Sequence, residues 1–596
     1  MIEPRIYRAA FIPALVALVL TMFSLQSRPR PLPQGLAADV LFDGRLAKQE
    51  AARLVDLAPD RRPGGEGDRV AARLVRNAFR DRGFRVQPLA GTRFTHAGHR
   101  LQNVIATRVG RSPRQVVVVA ARDADRVPDA AGSAASTAAL LEFARVFEGR
   151  PSNKTLVLAS VDGSTLGEVG TERLIDKLAS PDLVDGVLVM SDLGAPRADG
   201  PLLQAWSNDS SRAGIGLQRT VADSIRQELD QPVGQTGTLG QMSHLSFPIG
   251  IGPQGPLLKH GYDAVRVSGS GDLPAEGDVP VARIDEDRLG GLGRATLRTA
   301  SALDQAKSPP DRGPDSYVTA VSQVMPGWVL ALLGVTLLLP ALVASVDAFA
   351  RARRRHEAVS PWLRWVGAWS APFLAGWALA ELLALTGATP SPPPAPVAPE
   401  ILPLDGPALG VLGGVAAAMA IGWGIARYLA VKPDPALREP ADSGAGVALC
   451  LVTSVAAMVL WLVNPFAGLL TVPAVHLWLL ATVTDPAPPR RARVAMVAAG
   501  ALPALIVSLY YMVTLGLGPV EAAWYLLLLV TGHQVGPVPA LVACVLLGCF
   551  LGAVELVLTV PEAPEEEPGE RGPAVYGPGA YAGPGSLGGT QSALRR

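Results

Sequence analysis

Cysteine is scarce in this chain. It has three cysteines in 596 residues, and all of them (Cys450, Cys544 and Cys549) lie in apolar segments of the C-terminal half. The large polar region before those segments has none, so no disulfide framework supports it.

Charge is also limited. Charged residues make up 18% of the chain and hydrophobic residues 49%, which is shifted toward the composition of membrane proteins. The formal net charge is +1, so the overall balance does not indicate a nucleic-acid partner. A purely soluble protein is therefore not expected.

The first apolar run extends from Ala9 to Leu25 and follows two arginines. No small-residue cleavage pattern precedes Arg28 and Arg30, so residues 1–30 are interpreted as a cytoplasmic N-terminus and an uncleaved signal-anchor helix. A cleaved signal peptide is the alternative.

Residues 325–560 are interpreted as an all-α transmembrane domain of about seven helices. The predicted spans are 326–348, 362–387, 406–430, 444–463, 466–484, 494–517 and 537–560. The apolar stretch within 519–536 is too short to span a bilayer and stays ambiguous.

Basic clusters predict the orientation of these spans. Placing all of them in the cytoplasm puts residues 31–320 outside. The clusters are Arg351 with Arg353, Arg354 and Arg355; Arg427 with Lys432 and Arg438; and Arg490 with Arg491 and Arg493. The proline-rich stretch 390–399 is then an external loop, and residues 561–596 form a disordered cytoplasmic tail.

Residues 31–320 have the mixed periodicity of an α/β domain. Several apolar runs are continuous rather than alternating, which favours a mostly parallel sheet flanked by helices. Ligands of such sheets gather at the carboxyl ends of the strands. The predicted strands are 116–120, 155–162, 186–192 and 263–269, and the predicted helices are 69–84 and 137–148.

Four segments in this order resemble the M28 family of zinc aminopeptidases, over roughly residues 50–270. They are Asp60 to Gly67, Asn103 to Ala106, the strand that ends in Ala120, and Ala139 to Arg145. The resemblance implies that family's fold. It also implies two zinc ions held by histidines and carboxylates, with a glutamate as general base.

Most of the residues that this chemistry needs are replaced. Ala121 stands where the family has a ligand histidine, and Ala131 where it has the bridging carboxylate. Ser164 and Thr165 follow the next strand in place of the family's Glu-Glu, which supplies the base and a ligand. No catalytic residue is therefore assigned, and no cofactor is expected.

Three family positions keep a suitable residue and are the predicted lining of the cleft: Asp123, Asp192 and His244. Asp192 and His244 are also weak candidates for metal ligands. Replacement ligands for a rebuilt site with a single metal ion would come from Asp125, Asp129, Asp162, Glu168 and His260.

One anchor, an M28-like outer domain and about seven further spans also resemble the architecture of the GPI-transamidase attachment subunit. The composition, rich in Ala, Arg, Gly and Pro, is typical of a high-GC bacterium, so only a scaffold-like role is carried over, at the plasma membrane. The leading hypothesis is a pseudoenzyme whose outer domain binds a peptide, protein or lipid-linked partner. The alternatives are an active zinc aminopeptidase with a rearranged site, and a transporter or lipid-handling protein with a regulatory outer domain.

Overall fold

A computed structural model describes residues 3–35, 41–229, 232–234, 236–320, 323–357, 359–390, 393–428, 444–484 and 487–559. The predicted tail, 561–596, and two members of the basic clusters, Lys432 and Arg438, lie outside the described residues.

The chain forms two parts, an α/β domain and a set of apolar helices, as the sequence predicts. The strands are β1 (Gln26–Ser27), β2 (Arg85–Val86), β3 (Arg93–His96), β4 (His99–Gln102), β5 (Val104–Arg108), β6 (Ser112–Ala121), β7 (Lys154–Val161), β8 (Val184–Ser191), β9 (Leu203–Gln204), β10 (Ala264–Ser268), β11 (Tyr317–Ala320) and β12 (Gln323–Pro326).

A seven-stranded sheet in the order β2-β5-β7-β6-β8-β10-β9 forms the centre of the α/β domain. Its four middle strands, β7, β6, β8 and β10, run parallel, while the strands at both sides pair antiparallel. The parallel arrangement is therefore confirmed for the middle of the sheet. Every residue of β7 and of β10 is buried, because helices cover both faces of these apolar strands.

Two short helices come first in the chain, α1 (Pro4–Ala9) and the apolar α2 (Ile12–Phe23). The helices of the α/β domain are α3 (Gly44–Leu57), α4 (Glu66–Asp81), α5 (Ala135–Val146), α6 (Val169–Ile175), α7 (Ile215–Leu229), α8 (Thr238–Ser246), α9 (Gln254–Lys259) and α10 (Glu286–Gln305).

Helix α4 shows why these segments are helical. Ala71, Ala72, Val75 and Phe79 recur at the helical spacing and are buried, so the helix presents one apolar face to the sheet. Two acidic residues, Glu66 and Asp68, lie in its first turn, where the helix dipole favours negative charge.

Behind the carboxyl end of β6, Arg122 is completely buried in a network of charges. Its guanidinium donates two hydrogen bonds to Asp68, at 2.7 and 3.0 Å, and lies 3.5 Å from Asp162. It also donates to the carbonyls of Ser160 and Gln102. Burial disfavours the charged form, but Asp68 and Asp162 outweigh that effect and raise the pKa of Arg122 above its usual value. This cation thus ties α4 to the ends of β6, β7 and β4.

The apolar half consists of α11 (Gly327–Arg354), α12 (Ser360–Leu385), α13 (Gly406–Ala426), α14 (Gly444–Val463), α15 (Pro465–Leu470), α16 (Val472–Val483), α17 (Arg490–Thr514), α18 (Pro519–Thr531) and α19 (Pro537–Thr559). Among the described residues, eight helical segments are long and apolar enough to cross a membrane. They are Pro4–Phe23, Gly327–Arg354, Ser360–Leu385, Gly406–Ala426, Gly444–Val463, Pro465–Val483, Arg490–Thr514 and Pro537–Thr559.

Polar contacts link these helices. Arg427 lies 3.3 Å from Glu555 of α19, and the indole of Trp369 on α12 donates to the same carboxylate. His476 on α16 hydrogen-bonds to the hydroxyl of Tyr7 at 2.7 Å and to the carbonyl of Leu337 at 2.8 Å. The second group joins the N-terminal helices to the bundle.

The α/β domain packs directly on the apolar half. The amide of Asn464 caps α15 with its oxygen and donates from its nitrogen to the carbonyls of Leu245 and Ser246 at the end of α8. An apolar cluster at the same boundary contains Ile249 from the domain and Tyr511, Leu515, Tyr525 and Leu529 from α17, α18 and the turn between them.

Replacing Arg122 by Met is expected to destabilise the α/β domain by about 3–5 kcal/mol, because Asp68 and Asp162 would remain buried without a compensating cation. Thermal unfolding of the detergent-solubilised full-length protein measures the loss. Arg69→Ala is the matched control, since Arg69 forms an exposed pair with Glu66, and it should leave the melting temperature unchanged. An Arg122→Met protein as stable as wild type would contradict this role.

Candidate functional site

The main cleft lies at the carboxyl ends of the parallel strands, where the sequence predicts it. It has a volume of about 140 Å³. Asp123, which follows β6, and Asp192, which follows β8, both line it, together with Ser164 and Thr165 after β7. The structure thus brings two of the three predicted residues together with Ser164 and Thr165.

The carboxylate of Asp123 accepts four hydrogen bonds from Ser164 and Thr165. One oxygen accepts from the backbone N–H and the hydroxyl of Ser164, at 3.0 and 2.8 Å. The other accepts from the same two groups of Thr165, at 3.0 and 2.9 Å. Since each oxygen already has two donors, Asp123 works as the anchor of the loop after β7.

Asp192 begins the loop after β8 in a left-handed conformation, with φ of 55°. Its carboxylate accepts from the hydroxyl of Ser191 at 2.6 Å and from the N–H of Ala275 at 3.2 Å. Each oxygen therefore has one donor and can accept another from a ligand.

Two further acidic residues line the cleft and are protonated more readily than usual. Burial, together with the neighbouring Asp192, raises the pKa of Asp129 to about 6, although Asp129 accepts from the N–H of Ser133 at 2.7 Å. Burial raises the pKa of Glu168 to about 8, although Glu168 accepts from the hydroxyl of Thr171 at 2.7 Å. At neutral pH Glu168 is mostly uncharged, so it can donate a hydrogen bond as well as accept one.

The backbone is strained at these positions. Six non-glycine residues of the described chain have positive φ, and three of them, Asp129, Glu168 and Asp192, line this cleft. Such conformations cluster where the surrounding structure enforces them, which is typical of functional sites.

Arg266, on β10, is a buried cation in the wall of the cleft. Its side chain is 97% buried and donates to the carbonyls of Gly271 and Asp272, at 3.1 and 2.8 Å. Its Nε–H has no hydrogen-bond partner among the described residues. Burial lowers the pKa of Arg266, against the attraction of Asp192 and Asp272. The Nε–H is itself buried, close to Gly252, so it is not exposed to the cleft.

The third predicted residue, His244, does not line this cleft but a smaller adjoining pocket, which shares Ile251 and Arg266 with it. It sits on α8, at the contact with α17, and its ring stacks on Trp206 with centroids 4.5 Å apart. Its Nε2 lies 3.2 Å from the hydroxyl of Tyr510, and its Nδ1 lies 3.4 Å from that of Tyr511. Matching short sequence segments led to the prediction that His244 lines the cleft. Sequence alone does not show that α8 lies against the apolar helices.

The hydrogen bonds assign the protons of His244. Tyr511 donates its own proton to the carbonyl of Phe247, so it accepts from Nδ1–H, and Tyr510 donates to Nε2. Burial, and secondarily the charge of Arg212, lowers the pKa of His244 to about 3, which keeps the ring neutral. Both nitrogens are therefore engaged in holding the two halves together.

The replacement candidates separate into two groups. Asp125, Asp129 and Glu168 line the cleft. Asp162 belongs to the Arg122 network, and His260 lies 3.7 Å from Glu172 at the surface. Within the described ranges, no three side chains of His, Cys, Asp or Glu are grouped so as to hold a metal ion.

A segment of the apolar half covers one side of the cleft. Residues 393–402, named the strap here, connect α12 to α13, and Pro396, Val397, Ala398, Glu400 and Ile401 line the cleft. Arg126 of the α/β domain lies 3.2 Å from Glu400. The sequence predicted only an external proline-rich loop here. In the structure this loop lines the cleft, so the site combines residues from both halves of the chain.

No protein-family model matches this chain, and no curated protein sequence does. Solved structures that it is similar to include the LapA aminopeptidase of Legionella pneumophila, with 12% identity over 46% of this chain and 72% of that chain and a TM-score of 0.37. Another is the zinc aminopeptidase BSAP from Bacillus subtilis, with 14% identity over 48% of this chain and 99% of that chain and a TM-score of 0.34. A third is a glutaminyl cyclase from an Acidobacteriales bacterium, with 15% identity over 47% of this chain and 99% of that chain and a TM-score of 0.34. The overlaps cover just under half of this chain.

Glu168→Gln is expected to remove a pH dependence of stability. The pKa of Glu168 rises from 4.5 to about 8 on folding, so the stabilisation from its neutral form is complete below about pH 4.5 and is lost as the pH rises toward 8. The wild-type melting temperature should therefore fall relative to Glu168→Gln between pH 5 and 8, by the equivalent of about 4–5 kcal/mol at most.

Thermal unfolding of the full-length protein at a series of pH values measures this difference. Glu148→Gln serves as the control, because Glu148 is exposed just after α5 and does not line the cleft, and it should follow the wild-type curve. A constant offset between Glu168→Gln and wild type across the whole range would show that Glu168 does not titrate there.

Proposed function

We propose that this chain is an integral membrane protein whose α/β domain is a catalytically inactive relative of the M28 aminopeptidases and binds a peptide, protein or lipid-linked partner. The eight apolar helices support membrane insertion. In a bacterium the membrane would be the plasma membrane, and the basic clusters favour an extracytoplasmic α/β domain.

The hydrogen bonding of Asp123 carries this proposal. In the resemblance to the M28 family, the positions of Ser164 and Thr165 belong to the general base and a zinc ligand. Here both residues donate to Asp123 through backbone and side chain. Hydroxyl groups paired in this way neither take a proton from water nor bind zinc at ordinary affinity.

The residues present do not fit a two-zinc centre. Ala121 and Ala131 carry no ligand atoms, and His244 has both ring nitrogens engaged at the boundary with α17. Asp192 alone of the corresponding ligands faces the cleft. The site therefore lacks most of the ligands that a zinc-dependent step requires.

The cleft does offer the groups that a binding site needs. The positive charge of Arg266 in the cleft wall favours a carbonyl or a carboxylate, and Asp192 can accept from an N–H. Met190 and Ile251 add apolar surface. A few fixed polar groups on an apolar wall are typical of ligand sites.

A second candidate, an active metallopeptidase with a rearranged site, is favoured by one observation. Asp125, Asp129, Glu168 and Asp192 all line the same cleft. Carboxylates can bind zinc, and a metal ion would lower the pKa values that burial raises.

Zinc content and aminopeptidase turnover of the purified full-length protein decide between the two. After exposure to zinc and removal of the excess, we expect much less than one zinc per chain and no hydrolysis of a leucine aminopeptidase substrate. Asp192→Asn is the matched variant, since it keeps the size of the side chain and removes the charge that a metal ion requires. Stoichiometric zinc and turnover that both disappear in Asp192→Asn would overturn the proposal and establish the peptidase.

A further inference from the structure

The hairpin of β3 and β4 brings two histidines together. Its strands pair antiparallel in the register Arg93↔Gln102, Phe94↔Leu101, Thr95↔Arg100 and His96↔His99. His96 and His99 therefore lie directly opposite each other, on either side of a two-residue turn. Directly opposite residues of an antiparallel pair project from the same face, with Cβ atoms about 4.5–5.5 Å apart. The two imidazoles thus start from neighbouring positions on one face of the hairpin.

The turn between them contains a strained residue. Ala97 and Gly98 both have positive φ, 46° and 80°, as in two-residue hairpin turns of type I′. Glycine adopts such a conformation freely, but alanine does not, and the methyl group of Ala97 has no hydrogen bond to offer in support. Strain of this kind persists where the surrounding structure enforces it, which is typical of functional sites.

The base of the hairpin is held by the buried network of Arg122. The N–H of Gln102 donates to Asp162 at 2.9 Å, and its carbonyl accepts from Arg122 at 2.6 Å. The N–H of Asn103 donates to the carbonyl of Thr92 at 3.1 Å. The strands cannot slide past each other without breaking these hydrogen bonds, so the fold fixes the pairing of the histidines.

The face that carries the histidines is buried at one end and open at the other. Side chains alternate between the two faces along a strand, so Phe94 and Leu101 share the face of His96 and His99. Leu101 is 1% exposed, and Phe94 is half-buried beside the guanidinium of Arg173. At the tip, His96 is half-buried and His99 is exposed. An ion between the two rings would meet protein on one side and solvent on the other.

Two imidazoles in this arrangement suit a divalent transition-metal ion. Neutral imidazole is a common ligand of Zn²⁺, Cu²⁺ and Ni²⁺. Structural zinc sites have four protein ligands, so a pair of histidines leaves the other positions to water and holds an ion reversibly. Arg173, beside Phe94, lies 3.5 Å from Asp176, and this pairing offsets part of its repulsion of a metal ion.

We propose that His96 and His99 form a binding site for one divalent transition-metal ion, coordinated by two imidazole nitrogens and by water. The site is separate from the cleft, whose acidic lining offers oxygen ligands and does not include these histidines. Cu²⁺ should bind most tightly, because the affinity of nitrogen ligands for first-row divalent ions rises to copper. This site is independent of whether the cleft is catalytic.

Electron paramagnetic resonance of the full-length protein in detergent, with less than one equivalent of Cu²⁺, tests the site. Two imidazole ligands split the signal through two nitrogen nuclei, whereas carboxylate oxygens of the cleft do not. His99→Asn should weaken Cu²⁺ binding about tenfold, because the second imidazole then no longer binds as a tethered ligand. A wild-type spectrum without the splitting from two nitrogens contradicts the proposal.

A matched variant keeps two histidines in the hairpin but moves one of them to the other face. Thr95→His combined with His96→Asn has this effect, because successive side chains of a strand point to opposite faces. It should bind Cu²⁺ as weakly as His99→Asn. His260→Asn removes a surface histidine beside Glu172 and should leave the spectrum and the affinity unchanged. Equal Cu²⁺ binding by the face-switched variant and wild type overturns the proposal.

Discussion

The buried guanidinium of Arg122 fixes the geometry behind the cleft. It joins α4 through Asp68, the end of β7 through Ser160 and Asp162, and β4 through Gln102. The next residue, Asp123, then stands where it can hold the loop that follows β7. A second buried arginine, Arg61, continues the arrangement by donating to the carbonyls of Arg122, Pro128 and Asp129. Two fully buried arginines thus lie behind the cleft.

Much of the fold could be predicted because its signals are local. Continuous apolar runs predicted the middle strands, and β7 and β8 begin and end within two residues of the predicted bounds. The helices of the apolar half were also predictable from local signals. A helix that crosses lipid makes all its backbone hydrogen bonds internally and needs about twenty consecutive, mainly apolar residues. Seven predicted spans after the anchor correspond to seven apolar helical segments. The order of neighbouring strands and the antiparallel sides of the sheet depend on contacts distant in sequence, so they came only from the structure.

The site was predictable only in part, for the same reason. Asp123 and Asp192 follow strands directly, and the ends of parallel strands meet at one edge of a sheet, so their proximity follows from position alone. His244 depends on the direction of α8, which is decided by Tyr510 and Tyr511 more than 260 residues later. Arg266 lies within an apolar strand and gave no signal as a cleft residue. The strap overlaps the proline-rich stretch 390–399, but nothing nearby in the sequence indicated that this stretch would meet the cleft.

The strap also sets an order of assembly. Its anchoring donors lie 122, 128 and 141 residues further along the chain than the carbonyls they bind. Chains are synthesised from the N-terminus at a limited rate, and domains fold as they emerge. The α/β domain is therefore complete while the wall of its own cleft still lacks support, and the cleft is finished only when α18 and the turn after it have been made. For that interval during biosynthesis the cleft is open on the side that the mature protein covers.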